Sequence, residues 1–394
     1  MKRPGLIVIL VVVVVAALSS AQGQTFIPLH QFDGSNDSAA FSEGGILKGK
    51  GGLFGTTTLT GTVFRIDSTG KESVVGLFNG GVGGIFPTGT LIQDAKGNLY
   101  GVAEGGAGGA GVVYKLSLRG KETALYSFQG GLDNDNPKGP AGGLFMDASG
   151  VIFGAAQFGS DQSCEIGCGS IFQLDQAGNL VLLHKFTGGA DGSNPIGPLV
   201  QDAAGNLYGV AQSGGNPTCP ERFEQFRRNG CGVVFKLAKS GELTVLRAFK
   251  GKSDGAIPQA GLLLDAEGNL YGTTLKGGID DQGTVFKISK DGIYTTLHRF
   301  VESEGINPNG GLAADPAGNL FGTAQLGGDV NNGTAFQLRP DGTLKVLHSF
   351  EGLEDGDYPQ AGLFRDSQGR LYGTTVSSGL IQLVQGGCVF EIIP

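Results

Sequence analysis

A short apolar segment built around an aromatic residue followed by glycine returns seven times along this 394-residue chain. It reads LFGTT from Leu53, LYGVA from Leu99, IFGAA from Ile152, LYGVA from Leu207, LYGTT from Leu270, LFGTA from Leu320 and LYGTT from Leu371. The constant member is the glycine, at Gly55, Gly101, Gly154, Gly209, Gly272, Gly322 and Gly373, spaced by 46 to 63 residues. Between Pro258 and Phe300 the repeat shows its whole content: GLLLDAEG, NLYGTT, GTVFKIS and TTLHRF, four apolar segments separated by turn residues. Each reads as a strand. A period of this length carrying four strands predicts an all-β fold, a seven-bladed β-propeller, whereas a helical solenoid would show a 3.6-residue apolar rhythm that is absent.

The third segment recurs as TVFRI, VVYKL, SIFQL, VVFKL, TVFKI, TAFQL and CVFEI, a pattern that reads as a half-buried alternating strand. The fourth ends in Phe32, Phe78, Phe128, Phe186, Phe249, Phe300 and Phe350. The first of these, IPLHQF, precedes any second segment, while CVFEI at the end has no fourth segment after it. The N-terminal strand is therefore expected to complete the last blade, closing the ring and removing an open sheet edge. An open linear array would leave two bare ends without capping units. DAKGN, DASGV, DAAGN, DAEGN, DPAGN and DSQGR join the first two strands in six units, with Asp bonding turn amides and Gly taking the positive-φ position. One rim of the disc is thus expected to be short and uniform.

These residues, NLYGTT, a glycine-rich loop, GTVFKI, LHRF and a DG-x-x-P connection, closely resemble the GloVer tandem repeat of exported bacterial proteins. The resemblance covers essentially everything after residue 25. It implies a propeller and no agreed activity. Members of that family often carry a C-terminal surface-sorting segment, whereas this sequence stops within its last repeat.

Lys2 and Arg3 precede an unbroken apolar stretch from Leu6 to Leu18 that gives way to Ser19, Ser20 and Ala21. Residues 1–23 therefore read as a signal peptide cleaved after Ala21 or Gly23, with a retained anchor as the alternative, and residues 24–394 as a single propeller domain. The mature protein is expected outside the cytoplasm: secreted, periplasmic or at the cell surface, without a membrane span, and as a monomer. The formal charge is −8, becoming −10 once Lys2 and Arg3 are removed, so nucleic acid is an unsuitable partner. The 73 glycines lack a Gly-X-Y period and punctuate short strands. Five cysteines in an exported chain favour disulfides. Cys168 and Cys231 each stand just before a third strand with one upstream partner in the same loop, which predicts Cys164–Cys168 and Cys219–Cys231. Cys388 takes the place that Thr284 holds in GTVF and is expected to stay reduced.

The residues that carry chemistry are scattered. His30, His184, His298 and His348 share one slot in the fourth strand, where other repeats place Gly76, Tyr126 and Arg247. Side chains a blade or more apart do not converge on a nucleophile or a metal. The Asp of each DAxGN is a turn former rather than half of a glycosidase pair. Asp33, Asp37, Asp133, Asp135, Asp191, Asp254, Asp355 and Asp357 gather in the connections between repeats, but no stretch matches a full calcium loop. GGAGGAG near Gly105 has no Lys-Ser/Thr and no following helix, so no phosphate cradle is expected. No catalytic residue, metal site or cofactor is assigned.

What varies is the loop between the second and third strands, from LTG in the first repeat to SGGNPTCPERFEQFRRNGCG in the fourth. Insertions confined to one rim mark the expected binding face. Arg222, Phe223, Phe226, Arg227 and Arg228 form a basic, aromatic cluster there, of residue types enriched at interaction hot spots; a solvated loop whose phenylalanines fold back on the blade is the plainer alternative. The expectation is a non-enzymatic binding module for an extracellular or envelope protein or glycan, with a propeller enzyme acting on extracellular polysaccharide or peptide as the alternative. Polar side chains from several blades converging in one rim pocket would favour the enzyme, and a glycine-lined channel the module.

Overall fold

A computed structural model describes residues 24–32, 44–58, 60–81, 83–130, 136–160, 163–219, 230–352, 354–376 and 387–394. The chain begins with β1 (Thr25–Gln31) and then lays down blade one as β2 (Leu47–Gly49), β3 (Gly52–Thr57), β4 (Thr62–Ile66) and β5 (Glu72–Leu77). Blade two comprises β6 (Ile85–Gln93), β7 (Leu99–Glu104), β8 (Gly109–Leu116) and β9 (Glu122–Gln129). Blade three comprises β10 (Pro137–Met146), β11 (Ile152–Gly159), β12 (Ser170–Leu174) and β13 (Leu180–Lys185), and blade four β14 (Ser193–Gln201), β15 (Leu207–Ser213), β16 (Val233–Leu237) and β17 (Leu243–Ala248). Blade five follows as β18 (Leu263–Leu264), β19 (Leu270–Thr274), β20 (Thr284–Ile288) and β21 (Tyr294–Arg299). Blade six is β22 (Ala313–Ala314), β23 (Leu320–Ala324), β24 (Thr334–Leu338) and β25 (Leu344–Ser349). Blade seven takes β26 (Phe364–Arg365), β27 (Leu371–Thr374) and β28 (Cys388–Ile393) from the C-terminus and β1 from the N-terminus, so that seven antiparallel four-stranded sheets form a closed β-propeller.

The repeated glycine has a specific reason. In every blade it pairs across the ladder with the aromatic residue of the third strand, as Gly272 does with Phe286 and Gly322 with Phe336. A Cβ at Gly272 would sit 2.6 Å from Phe286 Cζ, and one at Gly322 2.7 Å from Phe336 Cζ. The ring lies flat across the glycine, in the space a side chain would need.

Each of these rings also receives the edge of the phenylalanine that ends the preceding blade. Phe78 meets Tyr114, Phe128 meets Phe172, Phe186 meets Phe235, Phe249 meets Phe286, Phe300 meets Phe336, Phe350 meets Phe390 and Phe32 meets Phe64, with centroids 4.4 to 5.5 Å apart. Such pairs add about 0.5–1.5 kcal/mol each beyond the area they bury. The core accordingly divides into seven clusters, one at each blade junction. This arrangement corrects the expected half-buried alternation of the third strand: TVFKI in β20 is buried at every position but Lys287, because neighbouring blades cover both faces.

Lys287 escapes burial by lying over the ring of its cross-strand partner Tyr271, 5.3 Å from the centroid, as Lys115 lies over Tyr100 and Lys236 over Tyr208. Those tyrosines reach the tight turns between first and second strands. The Tyr100 hydroxyl donates to Asp94 Oδ2 at 2.9 Å, while Asp94 Oδ1 accepts the Lys96 and Asn98 amides. Asp202 with Tyr208 and Asp265 with Tyr271 repeat the arrangement. The turns from first to second and from third to fourth strand together make the short rim; the remaining connections emerge on the opposite, loop-bearing rim.

Closure reproduces an interior junction. Strand β1 pairs antiparallel with β28, Phe26 opposite Ile392 and Gln31 opposite Cys388. The Phe32 amide donates to the Gly387 carbonyl at 3.0 Å, the bond that Phe186 makes to Gly169 and Phe300 to Gly283 inside covalently continuous blades. On the short rim, Lys48 of blade one donates to Asp366 of blade seven at 2.8 Å, and Arg370 Nε donates to the same carboxylate at 3.0 Å. Burial pushes the Asp366 carboxyl up, but the bonds from Lys48, Arg370 and Gln368 outweigh it and hold the carboxyl well below the usual range. Its stabilising contribution is therefore complete above the unfolded value of about 4 and is lost as pH falls through the lower folded value. Asp366→Asn should lower the melting temperature at pH 7 and flatten the acid-side fall in stability below about pH 4; an unchanged acid limb in thermal melts would refute this role.

Candidate functional site

The first strands line the axis, and their sequence explains the channel they leave. They share a Pro-led motif: Pro87-Thr88-Gly89, Pro140-Ala141-Gly142, Pro195-Ile196-Gly197, Pro258-Gln259-Ala260-Gly261, Pro308-Asn309-Gly310-Gly311 and Pro359-Gln360-Ala361-Gly362. Neighbouring first strands cross at these glycines: a Cβ on Gly197 would lie 2.7 Å from the Gly261 amide nitrogen, and one on Gly310 2.5 Å from that of Gly362. Only glycine permits this approach near the axis.

The residue before each Pro stands at positive φ, including 58° at Ile257, 57° at Asn307 and 53° at Tyr358. A β-branched residue is strained there, so Ile257 is held by its surroundings. The Ile257 amide donates to the Cys231 carbonyl at 2.9 Å, Asn194 to Cys168 at 2.8 Å, Asn307 to Gln282 and Tyr358 to Asn332 at 2.9 Å. Each bond hooks a first strand onto the preceding blade. Two of the hooks carry the disulfides. Cys164–Cys168 and Cys219–Cys231 have Cα atoms 5.2 and 5.4 Å apart, in the expected pairing. Cys388 is the free cysteine, and burial pushes its thiol up to about 12.

The channel opens on the loop-bearing rim as a cavity of about 850 Å³. Glycine makes up about a third of its lining, and Thr88, Glu104, Lys138, Gln157, Gln259, Asn309 and Gln360 supply polar side chains from blades two, three, five, six and seven. Both features posed as alternatives from the sequence are thus present together, a glycine-lined channel and convergent polar groups. Most of these groups are hydroxyls and amides; Glu104 and Lys138 are the ionisable ones.

The ring is not uniform. In blades five to seven the first strand is two residues long, against nine or ten in blades two to four. The difference tracks one position after the repeated glycine. Thr273, Thr323 and Thr374 donate through Oγ1 to the carbonyls of Gly310, Ala361 and Gly44 in the next blade, at 3.3, 2.8 and 3.2 Å. Val102, Ala155 and Val210 occupy that position in blades two to four and have no such hydroxyl. Thr in LYGTT versus Val in LYGVA is the sequence signal for two kinds of blade.

The histidine slot proves to be a latch. His184 Nε2 meets Asp191 at 3.3 Å, His298 meets Glu304 at 2.8 Å, His348 meets Asp355 at 2.7 Å, and Arg247 pairs with Asp254. The acid lies six or seven residues downstream, in the connection to the next blade, and where the slot is Gly76 the matching position is Gly83. Asp191, Asp254 and Asp355 also accept amides of their own turns, from Thr187, Lys250 and Glu351. Asp33, Asp37, Asp133 and Asp135 lie outside the described residues, as do Arg222, Phe223, Phe226, Arg227 and Arg228 and residues 1–23. Among the described residues, no group of three or more His, Cys, Asp or Glu side chains is placed to hold a metal ion. The loop through Gly105 and Gly109 borders the channel mouth.

The Gloeobacter/Verrucomicrobia repeat matches residues 60–219 and 223–394. The chain belongs to this repeat family. No curated protein is detectably similar to it in sequence. Among solved structures, a streptogramin B lyase is similar with a TM-score of 0.62 at 12% identity, covering 94% of this chain and 97% of the other. A virginiamycin B lyase from Staphylococcus aureus gives 0.62 at 11%, covering 94% and 99%. The extracellular domain of a hybrid two-component system protein of B. thetaiotaomicron gives 0.57 at 14%, covering 92% of this chain and 41% of that one. At these identities the likeness within the repeat family's fold is one of architecture alone. The two disulfides fit an extracellular location, and among the described residues no helix is long and apolar enough to cross a membrane.

Because the slot takes either His or Arg against an acid across the repeats, Arg247→His should cost less than about 1 kcal/mol in chemical denaturation, while Asp254→Ala, which strands a half-buried guanidinium, should cost about 1–3 kcal/mol. Equal losses from both would show that the slot is not a shared latch.

Proposed function

We propose that this chain is an extracellular ligand-binding propeller rather than a catalyst, with its site at the channel mouth on the loop-bearing rim. The observation that carries this reading is the chemistry of the mouth: polar side chains from five blades converge on one cavity, and all of these but Glu104 and Lys138 are neutral donors and acceptors. Such groups hold and orient a ligand, but they do not exchange protons at neutral pH. The cavity of about 850 Å³ suits a small molecule or the tip of a larger one.

The loop from Ser213 to Gly232 completes the face. Residues 213–219 and 230–232 leave the same rim, joined by Cys219–Cys231, and Arg222, Phe223, Phe226, Arg227 and Arg228 between them are the residues we propose for contact with an envelope protein or glycan. A pinned loop loses less conformational freedom on binding. In this account the protein acts as a monomer after residues 1–23 are removed, without a cofactor and without nucleic acid as a partner. Glu104 and Lys138, on adjacent blades, are the pair a catalytic alternative would use.

The test is capture of cell-envelope fractions by the purified protein. Ala141→Tyr, which fills the mouth, should reduce capture at least tenfold with an unchanged melting temperature. Arg222→Ser/Arg227→Ser/Arg228→Ser should weaken it further, most at low salt. Capture indifferent to both variants would remove the rim as the binding face, and turnover of a captured component that is lost in Glu104→Gln would establish the enzyme instead.

A further inference from the structure

We infer that the channel mouth reads the terminal sugar of a neutral oligosaccharide, an inference that rests on the channel-mouth reading above. Gln259, Asn309 and Gln360 occupy the same repeat position on three consecutive blades, all three line the cavity, and each is half-buried. Among the described residues, no side-chain hydrogen bond engages any of them. None of their amide atoms is both buried and unpartnered, so the three stand open to the channel, where the hydroxyls of a ligand can take the place of water. Nothing in the folding of these blades requires them: the same position is Thr88, Ala141 and Ile196 in blades two to four.

The two sides of the mouth therefore differ in kind. At the position after each Pro, blades five to seven present an arc of amides, each with donors and an acceptor, and blades three and four present Ala141 and Ile196, alongside Phe158, Gln157 and Lys138 of blade three. A ligand that fits needs hydroxyl-like groups along one edge and an apolar surface on the other side. A pyranose has both, hydroxyls radiating around its edge and a C–H face that packs on apolar side chains. An extended peptide matches less well. Its amide groups point alternately to both sides of the chain, so those turned toward Ala141, Phe158 and Ile196 would be buried without partners. Inside the cavity a strongly charged group would find no compensating cluster, since among the described residues lining it Glu104 and Lys138 are the only ionisable ones.

The experiment uses the mature chain on an array of neutral oligosaccharides, beside an equal set of uncharged peptides. The expected result is capture of at least one neutral glycan, weakened at least tenfold in Gln259→Leu/Asn309→Leu/Gln360→Leu and severalfold in each single variant. Gln360→Glu, nearly isosteric, keeps the fold and should also weaken capture, which guards against a misfolded triple variant. Peptide capture that the amide variants abolish would keep the site and overturn the ligand class. Glycan capture that the amide variants leave intact would overturn the site itself. A folded wild-type protein that captures no neutral glycan would overturn the inference outright.

Discussion

In each blade an aromatic ring on the third strand lies across the second-strand glycine and takes the edge of the phenylalanine that ends the blade before it. The rest of the molecule depends on this contact. Glycine is fixed because the ring occupies the place of its Cβ, the ring is buried on both faces because two blades meet there, and the terminal phenylalanine belongs to one blade by sequence but to the next by packing. Stability thus resides in the junctions between sheets more than within any one sheet. A blade alone would expose both faces of its third strand, and this is why the repeats must close on themselves.

Closing a ring around inner strands that cross at glycines leaves a narrow axial channel, and the hooks at the pre-proline residues fix where those strands begin. Function is then open to the positions that packing does not decide. At the mouth these are the residues after each Pro, which are amides on one side and small or aliphatic on the other. The outer latches, by contrast, repeat a structural pair: a His or Arg on the fourth strand holding the connection that leads to the next blade. Chemically rich side chains sit where the ring is tied together, and chemically mild ones where it is open.

Much of this was legible in the sequence, because a repeat displays its own constraints. The seven glycines, the seven terminal phenylalanines, the order of the four segments and the offset that makes β1 the last strand of blade seven could all be read from spacing. So could both disulfides, since each lies within one loop. What could not be read was which face each residue serves. The third strand looked alternating because periodicity cannot tell that a second blade covers the other side. The aspartates between blades could not be matched to their partners, because His184, Arg247 and His348 lie on a strand whose rim position the sequence does not state. Gln259, Asn309 and Gln360 drew no attention because neutral amides carry no catalytic pattern, and their meaning comes only from converging across blades distant in sequence.

The closing junction is physically the same as an interior one. Chemical denaturation of Phe32→Ala and Phe186→Ala compares them directly, since Phe32 meets Phe64 across the closure and Phe186 meets Phe235 between covalently linked blades. Both variants should lose about 3–5 kcal/mol in a single cooperative transition. A Phe32→Ala protein as stable as the wild type, beside a destabilised Phe186→Ala, would mean that the N-terminal strand does not close the ring.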